Sequence, residues 1–133
     1  MVEKIFVNGT FDVLHPGHIR LLTYAKELGT YLFVAIDSDD RVKKLKGIKR
    51  PINNEDVRKE MLLALKPVDK VDVFSTDDEL RYLIQNYNPD VMVIGSDYRN
   101  KPVIGSELIR SLVFYDRISE YSSTKTIQSI INR

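Results

Sequence analysis

Apolar positions along the chain switch between two periods. Short, mainly apolar runs recur at Ile5–Val7, Tyr31–Ile36, Val71–Phe74, Val91–Ile94 and Leu112–Tyr115. Runs of this length bounded by turn-forming residues predict strands, and those that are apolar throughout predict burial on both faces. Between them apolar residues repeat at helical spacing: Ile19, Leu22, Ala25 and Leu28 before a stop at Gly29; Val57, Met61, Leu62 and Leu65; Leu80, Leu83, Ile84 and Tyr87 before Pro89. The first helix is expected to start near Gly17. Ser38 or Asp39 can cap a helix leading into a basic segment, and Asn53 or Asn54 a helix that opens on the acids Glu55 and Asp56. Asp77 or Asp78 opens the next. A short helix over 106–111 and a terminal one over 123–131 complete the pattern. Gly47 to Asn53 and Gly95 to Gly105 carry neither period; the second, about a dozen residues, is long enough for a loop to carry function.

Strands alternating with helices predict a parallel sheet covered on both faces. The expected architecture is α/β, a single Rossmann-like doubly wound domain with a five-stranded parallel sheet, occupying residues 1–133. Such sheets bind ligands at the carboxyl ends of their strands, near the point where strand order reverses. The residues that follow each strand therefore matter most.

Composition narrows the function classes. With 43% hydrophobic and 29% charged residues the chain falls among globular domains rather than disordered or fibrous ones. No apolar run approaches the roughly 18 residues of a membrane span, and the first residues lack a signal-peptide pattern. Cysteine is absent, which excludes disulfides, zinc–thiolate sites and a cysteine nucleophile. A cytoplasmic protein with no membrane partner fits. A net charge of +1 supplies no global field for nucleic acid, so none is expected as a partner. The main concentration of charge is Arg41-Val42-Lys43-Lys44-Leu45-Lys46-Gly47-Ile48-Lys49-Arg50, directly after the second strand and its cap.

The chemistry concentrates where the first strand meets the first helix, in Asn8-Gly9-Thr10-Phe11-Asp12-Val13-Leu14-His15-Pro16-Gly17-His18. A helix start presents outward N–H groups that favour anions. Gly9 and Gly17 permit close approach of backbone to a ligand. His15 and His18, three residues apart, project towards one side once the helix begins. Taken singly, either histidine reads best as a partly buried donor to backbone. Together, with a glycine between them at a strand-to-helix turn, they favour a phosphate site whose imidazole N–H groups stabilise transition-state charge. Two histidines fall short of the three or four ligands zinc takes, so no protein-held metal is expected.

Gly9-Thr10-Phe11-Asp12 followed by His15-Pro16-Gly17-His18 resembles the signature of the small cytidylyltransferase-like nucleotidyltransferases, and the likeness extends over essentially the whole chain. The resemblance implies that the H-x-G-H histidines stabilise in-line displacement of pyrophosphate from a nucleoside triphosphate by a substrate phosphate, with Mg²⁺ accompanying the triphosphate. His15, His18 and Lys46 would then be catalytic. Gly9, Thr10, Phe11, Gly17, Gly95, Asp97, Arg117, Ser122, Ser123 and Thr124 would bind nucleotide, and Asp12, Lys44, Arg58 and Lys101 the phosphorylated substrate. Lys43 is a further match in the basic segment. Lys44 and Lys46 cannot share a helix face, so an irregular segment is expected if both meet ligand. Arg58 reads equally as a surface arginine on an amphipathic helix, and Asp97 as an Asx turn.

Arg117-Ile118-Ser119-Glu120-Tyr121-Ser122-Ser123-Thr124 resembles the family's Arg-Thr-Glu-Gly-Ile-Ser-Thr-Thr, whose hydroxyls hold the β- and γ-phosphates. Arg117, Ser122 and Thr124 match and Ser123 keeps a hydroxyl, whereas Ile118, Ser119 and Glu120 depart. The same hydroxyls would serve as a helix cap, and a cap is also an anion site.

For the acceptor, Lys43-x-Leu45-Lys46-Gly47 with Arg50-Pro51, Gly95-Ser96-Asp97-Tyr98 and Val103-Ile104-Gly105-Ser106-Glu107 resemble the heptose 1-phosphate adenylyltransferases, which form ADP-heptose from ATP for surface polysaccharide. Compact length and Arg117 resemble the glycerol-3-phosphate cytidylyltransferases, which form CDP-glycerol from CTP. The weight of local matches favours the heptose type. A nucleotide-binding module without turnover stays open because of the altered final motif, set against the intact His15, His18 and Lys46. The resemblance also implies a homodimer.

Overall fold

The computed structural model describes residues 3–95 and 103–115. Strand β1 (Lys4–Gly9) leads to helix α1 (Pro16–Glu27), β2 (Tyr31–Asp37), α2 (Asp39–Lys46), α3 (Glu55–Leu63), β3 (Lys70–Phe74), α4 (Asp77–Tyr87), β4 (Val91–Gly95), a 3₁₀ turn (Ser106–Leu108) and β5 (Leu112–Tyr115). The five strands form one sheet in the order β3-β2-β1-β4-β5, and every pairing is parallel. The expected doubly wound α/β architecture is what the chain adopts. Strand order reverses at β1, because β2 and β3 extend to one side of it and β4 and β5 to the other. The carboxyl ends of β1 and β4, at Gly9 and Gly95, therefore border the crevice where such sheets take ligands.

Alternation along each strand divides the core in two. Ile5 and Val7 point to the face covered by Leu22 and Ala25 of α1 and Leu62 of α3. Phe6 points to the opposite face, with Phe33, Phe74 and Leu80 and Ile84 of α4. Phe6 and Phe33 meet edge to face, ring centroids 5.4 Å apart. Leu32 to Ile36 of β2 are buried throughout, as the unbroken apolar run predicts for a strand covered on both sides.

Helix starts follow side-chain caps. Ser38, Asn54 and Thr76 accept the N–H groups of Arg41, Val57 and Glu79 at 3.2, 2.9 and 3.1 Å. Each supplies an acceptor for a donor that has no partner within its helix. The acids Asp39, Asp40, Glu55, Asp56, Asp77 and Asp78 then sit in first turns, where the helix dipole favours them. Asn88, in the left-handed region, ends α4 directly before Pro89.

Three local expectations change. The inward stripe of α3 is Arg58, Leu62 and Leu65 rather than Val57, Met61, Leu62 and Leu65; Val57 and Met61 are 37% and 41% exposed. The helix is rotated so that Arg58 lies inside, where backbone carbonyls need its donors. The segment after Gly105 is one 3₁₀ turn rather than a helix to Ser111, because Ile109 is already extended towards β5. Lys44 and Lys46 lie on a regular helix, so the irregular segment considered for them does not occur; α2 runs to Lys46 and stops at Gly47, whose φ of 103° suits glycine.

The amino-terminal edge of the sheet is clamped by two groups. The Tyr87 hydroxyl shares its proton between the carbonyls of Ile5 and Tyr31, at 3.2 Å each. Burial, with Tyr31 and Asp69 nearby, raises its pKa strongly. The Asp90 carboxylate accepts the N–H groups of Lys4 and Glu3 at 2.9 and 3.0 Å, which holds its pKa below the ordinary 3.8.

Candidate active site

The turn between β1 and α1 is built by its own side chains. His15 is the N-cap of α1: its Nδ1 accepts the N–H of Gly17 at 3.0 Å. His18, one turn on, returns the bond, its Nδ1 accepting the N–H of His15 at 3.2 Å. This reciprocal pair is a capping box in which histidines take the places usually held by Ser/Thr and Glu. Pro16 at the first helical position supplies a preset φ and needs no partner for a missing N–H. The imidazole rings stack with centroids 3.9 Å apart and 23° between planes, and Phe11 packs on His18 at 5.3 Å.

An Nδ1 that accepts a main-chain N–H carries no proton. Both histidines are therefore set as the tautomer protonated on Nε2, a choice made by the helix cap. Nε2–H is the donor each ring can offer an anion. His15 is 9% exposed and its Nε2 is buried, so a hydrogen bond made there acts at low local dielectric.

Phe11 and Val13 both adopt φ of 53°, unusual for side chains of their size. Asp12 between them explains how this is held. Its buried carboxylate accepts two N–H groups of the loop after α2, Ile52 at 2.6 Å and Asn53 at 2.9 Å. Asp12 thus ties the histidine turn to the loop that follows the basic helix, rather than presenting a free carboxylate to substrate. Gly9 has the ring edge of Phe11 where a Cβ would need room, only 3.0 Å away, so the space it leaves is taken by Phe11.

Arg58 is placed differently from the surface or substrate-binding roles expected of it. It is 1% exposed. Its guanidinium donates to the carbonyls of Thr10 (3.0 Å), Asp37 (2.8 Å) and Asn53 (2.9 Å), and to Asp39 Oδ1 (2.8 Å). One cation satisfies three carbonyls at the ends of β1, β2 and the α2–α3 loop, and is itself neutralised by Asp39. That is the condition under which a buried charge is tolerated. Burial and four committed donors make Arg58 the fastener of the site's floor.

Asp37, at the end of β2, and Arg41 join the site although neither is among the residues expected there from sequence. Asp37 Oδ2 accepts from the Thr10 hydroxyl at 2.9 Å, and Oδ1 accepts from Arg41 Nε at 2.8 Å. Their i, i+4 spacing across the start of α2 was the available signal. Lys43, Lys44 and Lys46 occupy the last turn of α2, all exposed, where cations suit the helix dipole. Lys44 and Lys46 are about 200° apart around a regular helix, so they face different directions. Gly95 ends β4 in an extended conformation, and no atom of the described residues lies within 4 Å of where a Cβ would stand. Asp97, Lys101, Arg117, Ser122, Ser123 and Thr124 lie outside the described residues.

The order of the sheet, the crevice at β1 and β4, and a helix start capped by two imidazoles define a Rossmann-like α/β domain. The chain belongs to the cytidylyltransferase-like family, whose model matches residues 6–129. The bifunctional protein HldE of Helicobacter pylori (strain J99 / ATCC 700824) is 45% identical over 126 residues, covering 95% of this chain and 27% of that protein. HldE of Campylobacter fetus subsp. fetus (strain 82-40) is 44% identical over 126 residues, with the same coverage of each. The chain therefore spans about a quarter of the length of these relatives. Among solved structures, the lipopolysaccharide core biosynthesis protein of Thermoplasma volcanium GSS1 superposes with a TM-score of 0.74 at 24% identity, covering 89% of this chain and 99% of that one. Pantothenate synthetase of Thermus thermophilus superposes at 0.61 and 13% identity, covering 96% and 64%. These two establish the fold.

Proposed function

We propose that this domain transfers a nucleotidyl group from a nucleoside triphosphate to a small phosphorylated sugar or polyol, releasing pyrophosphate. The observation that carries the reading is the reciprocal cap of His15 and His18, which presets two neutral Nε2–H donors at a helix start beside the strand-order reversal. Neutral donors can bond phosphate oxygens more tightly as charge builds at the α-phosphorus, and they need no reorganisation when it does. An oxygen of the acceptor phosphate attacks the α-phosphorus, the bond to the β-phosphate breaks, and pyrophosphate leaves in line. The attacking group is already an anion, so no general base is called for.

Lys46, with Lys44 or Lys43, would neutralise the phosphates from the end of α2. Gly9, Thr10, Phe11 and Gly17 shape the turn, Gly95 leaves room at the neighbouring strand end, and Arg117, Ser122, Ser123 and Thr124 would complete the triphosphate site, with Asp97 and Lys101 reaching nucleotide and acceptor. Asp12 and Arg58 act on substrate through the backbone they hold. Mg²⁺ fits this donor set as an ion carried by the triphosphate: both oxygens of Asp12 and of Asp37 are already engaged by protein donors, and among the described residues no cluster of three or more His, Asp or Glu could cage a metal. Bound there, Mg²⁺ would neutralise charge on the leaving phosphates.

The HldE relatives and the motifs after Lys43 and Gly95 favour ATP and heptose 1-phosphate, giving ADP-heptose; glycerol 3-phosphate with CTP is the competing pair. A cytoplasmic homodimer is part of the same proposal. Among the described residues no helix is long and apolar enough to cross a membrane. Pyrophosphate release with each NTP against each acceptor phosphate tests the assignment.

A further inference from the structure

Arg41 is placed to fasten three strand ends at the carboxyl edge of the sheet. It stands in the first turn of α2, yet its guanidinium turns back to Asp37 Oδ1 at the end of β2 (2.8 Å). It also reaches outward to Asp77 Oδ1 (2.8 Å) and the Ser75 carbonyl (3.4 Å) beyond β3, and lies over the Phe74 ring at 5.0 Å. Asp37 is the connecting piece. Its second oxygen accepts the hydroxyl of Thr10, the first residue of the phosphate turn after β1. Arg41 and Asp37 side chains are only 15% and 13% exposed, so this pair is shielded from water more than an ordinary surface ion pair.

A carboxylate with both oxygens committed has one rotamer that satisfies both partners. Arg41 fixes that rotamer by a charge-assisted bond and by the Asp77 and Phe74 contacts that anchor its own guanidinium. With Arg41 removed, Asp37 can rotate to solvent, and Thr10 loses the acceptor that orients its hydroxyl. The Thr10 carbonyl stays on Arg58, so the floor of the site survives while the turn above it loosens.

We propose that Arg41 is a positioning residue for the nucleotidyl-transfer reaction, acting through Asp37 on Thr10 and so on the phosphate-binding turn, without touching substrate itself. The inference rests on the function proposed above, and its test has one readout that does not.

The experiment compares wild type with Arg41→Met, Arg41→Lys, Thr10→Val and the double variant Arg41→Met/Thr10→Val in the full chain. Amide hydrogen exchange over Gly9 to His18, read by NMR without ligand, should accelerate about tenfold in Arg41→Met although the residue lies outside that segment. In turnover, Arg41→Met should lower kcat about tenfold. In the Thr10→Val background the same change should cost no more than about twofold, because both act through one carboxylate. Arg41→Lys, which keeps one ion pair to Asp37, should recover part of the loss. Unchanged exchange in the turn overturns the proposal, as does a full additive loss in the double variant. A wild-type protein that releases no pyrophosphate would sink the proposed function, and the exchange measurement would still decide the role of Arg41.

Discussion

His15 and His18 cap one helix together: Nδ1 of His15 receives the N–H of Gly17, Nδ1 of His18 receives the N–H of His15, and the two rings stack 3.9 Å apart. The capping duty of each imidazole falls on Nδ1, and the chemistry proposed for it falls on Nε2. Substitutions can separate the two. Asn places an acceptor where Nδ1 stands, and Gln places a donor nearer Nε2. His15→Asn should keep the cap and lose turnover, while His15→Gln should retain more activity on a weaker helix start. His15→Ala should lose both, with about 1 kcal/mol of stability from the cap. His18→Ala should lower kcat by roughly a hundredfold or more, the scale of removing a preorganised donor. Urea denaturation beside steady-state kinetics separates these outcomes; a His15→Asn enzyme with wild-type kcat would contradict the assignment of Nε2.

Arg58 should behave as a fold residue first. Arg58→Met strands three carbonyls and leaves Asp39 without its cation, and an expected loss of about 3 kcal/mol follows from breaking a buried ion pair on one side. A thermal shift of roughly 10 °C would accompany it in a domain of this size. If the variant keeps wild-type stability but loses acceptor affinity, Arg58 is a substrate ligand after all.

Gly95 is required neither by φ nor by packing against the described residues. Among the described residues its Cβ position is open, which is the pattern of a glycine kept clear for a ligand. Gly95→Ala should leave stability within about 0.5 kcal/mol and raise the KM for the triphosphate about tenfold. A large stability loss with unchanged KM would make the glycine a packing residue.

The pH dependence of stability should carry two signatures. Asp90 has its pKa depressed below 3.8 by the N–H groups of Lys4 and Glu3, so its contribution is complete above that value and is lost as pH falls through the lower folded one. Asp90→Asn should flatten the acid limb of the stability curve. Tyr87 has its pKa raised above 10.0, chiefly by burial, so its contribution holds below pH 10.0 and is lost as pH rises towards the folded value. Tyr87→Phe should flatten the alkaline limb. Equilibrium unfolding from acid to alkaline pH checks both; parallel curves for wild type and variants would refute the linkage.

The sheet was legible in the sequence because fully buried parallel strands leave unbroken apolar runs such as Leu32 to Ile36, and the histidine turn because glycines and histidines are conspicuous at a strand end. The inside of α3 was not. Val57 and Met61 look like a core stripe by hydropathy, and no hydropathy rule places Arg58 inward, since its burial depends on carbonyls contributed by Thr10, Asp37 and Asn53, distant in sequence. The partners of Asp12 were hidden in the same way: a carboxylate in a signature motif suggests a ligand contact, and nothing local points to the two loop amides some 40 residues on that it accepts. The Asp37–Arg41 pair was visible as i, i+4 spacing, but its link to Thr10 exists only once β1 and β2 lie side by side.

Pyrophosphate release, measured with ATP, CTP, GTP and UTP in turn against heptose 1-phosphate and glycerol 3-phosphate, tests the central claim most directly. The proposed function predicts release with ATP and heptose 1-phosphate, dependent on Mg²⁺ and slowed roughly a hundredfold or more in His18→Ala. Release only with CTP and glycerol 3-phosphate would move the acceptor assignment while keeping the chemistry. No release from any pair, with the nucleotides nonetheless binding, would contradict nucleotidyl transfer and leave a nucleotide-binding domain without turnover.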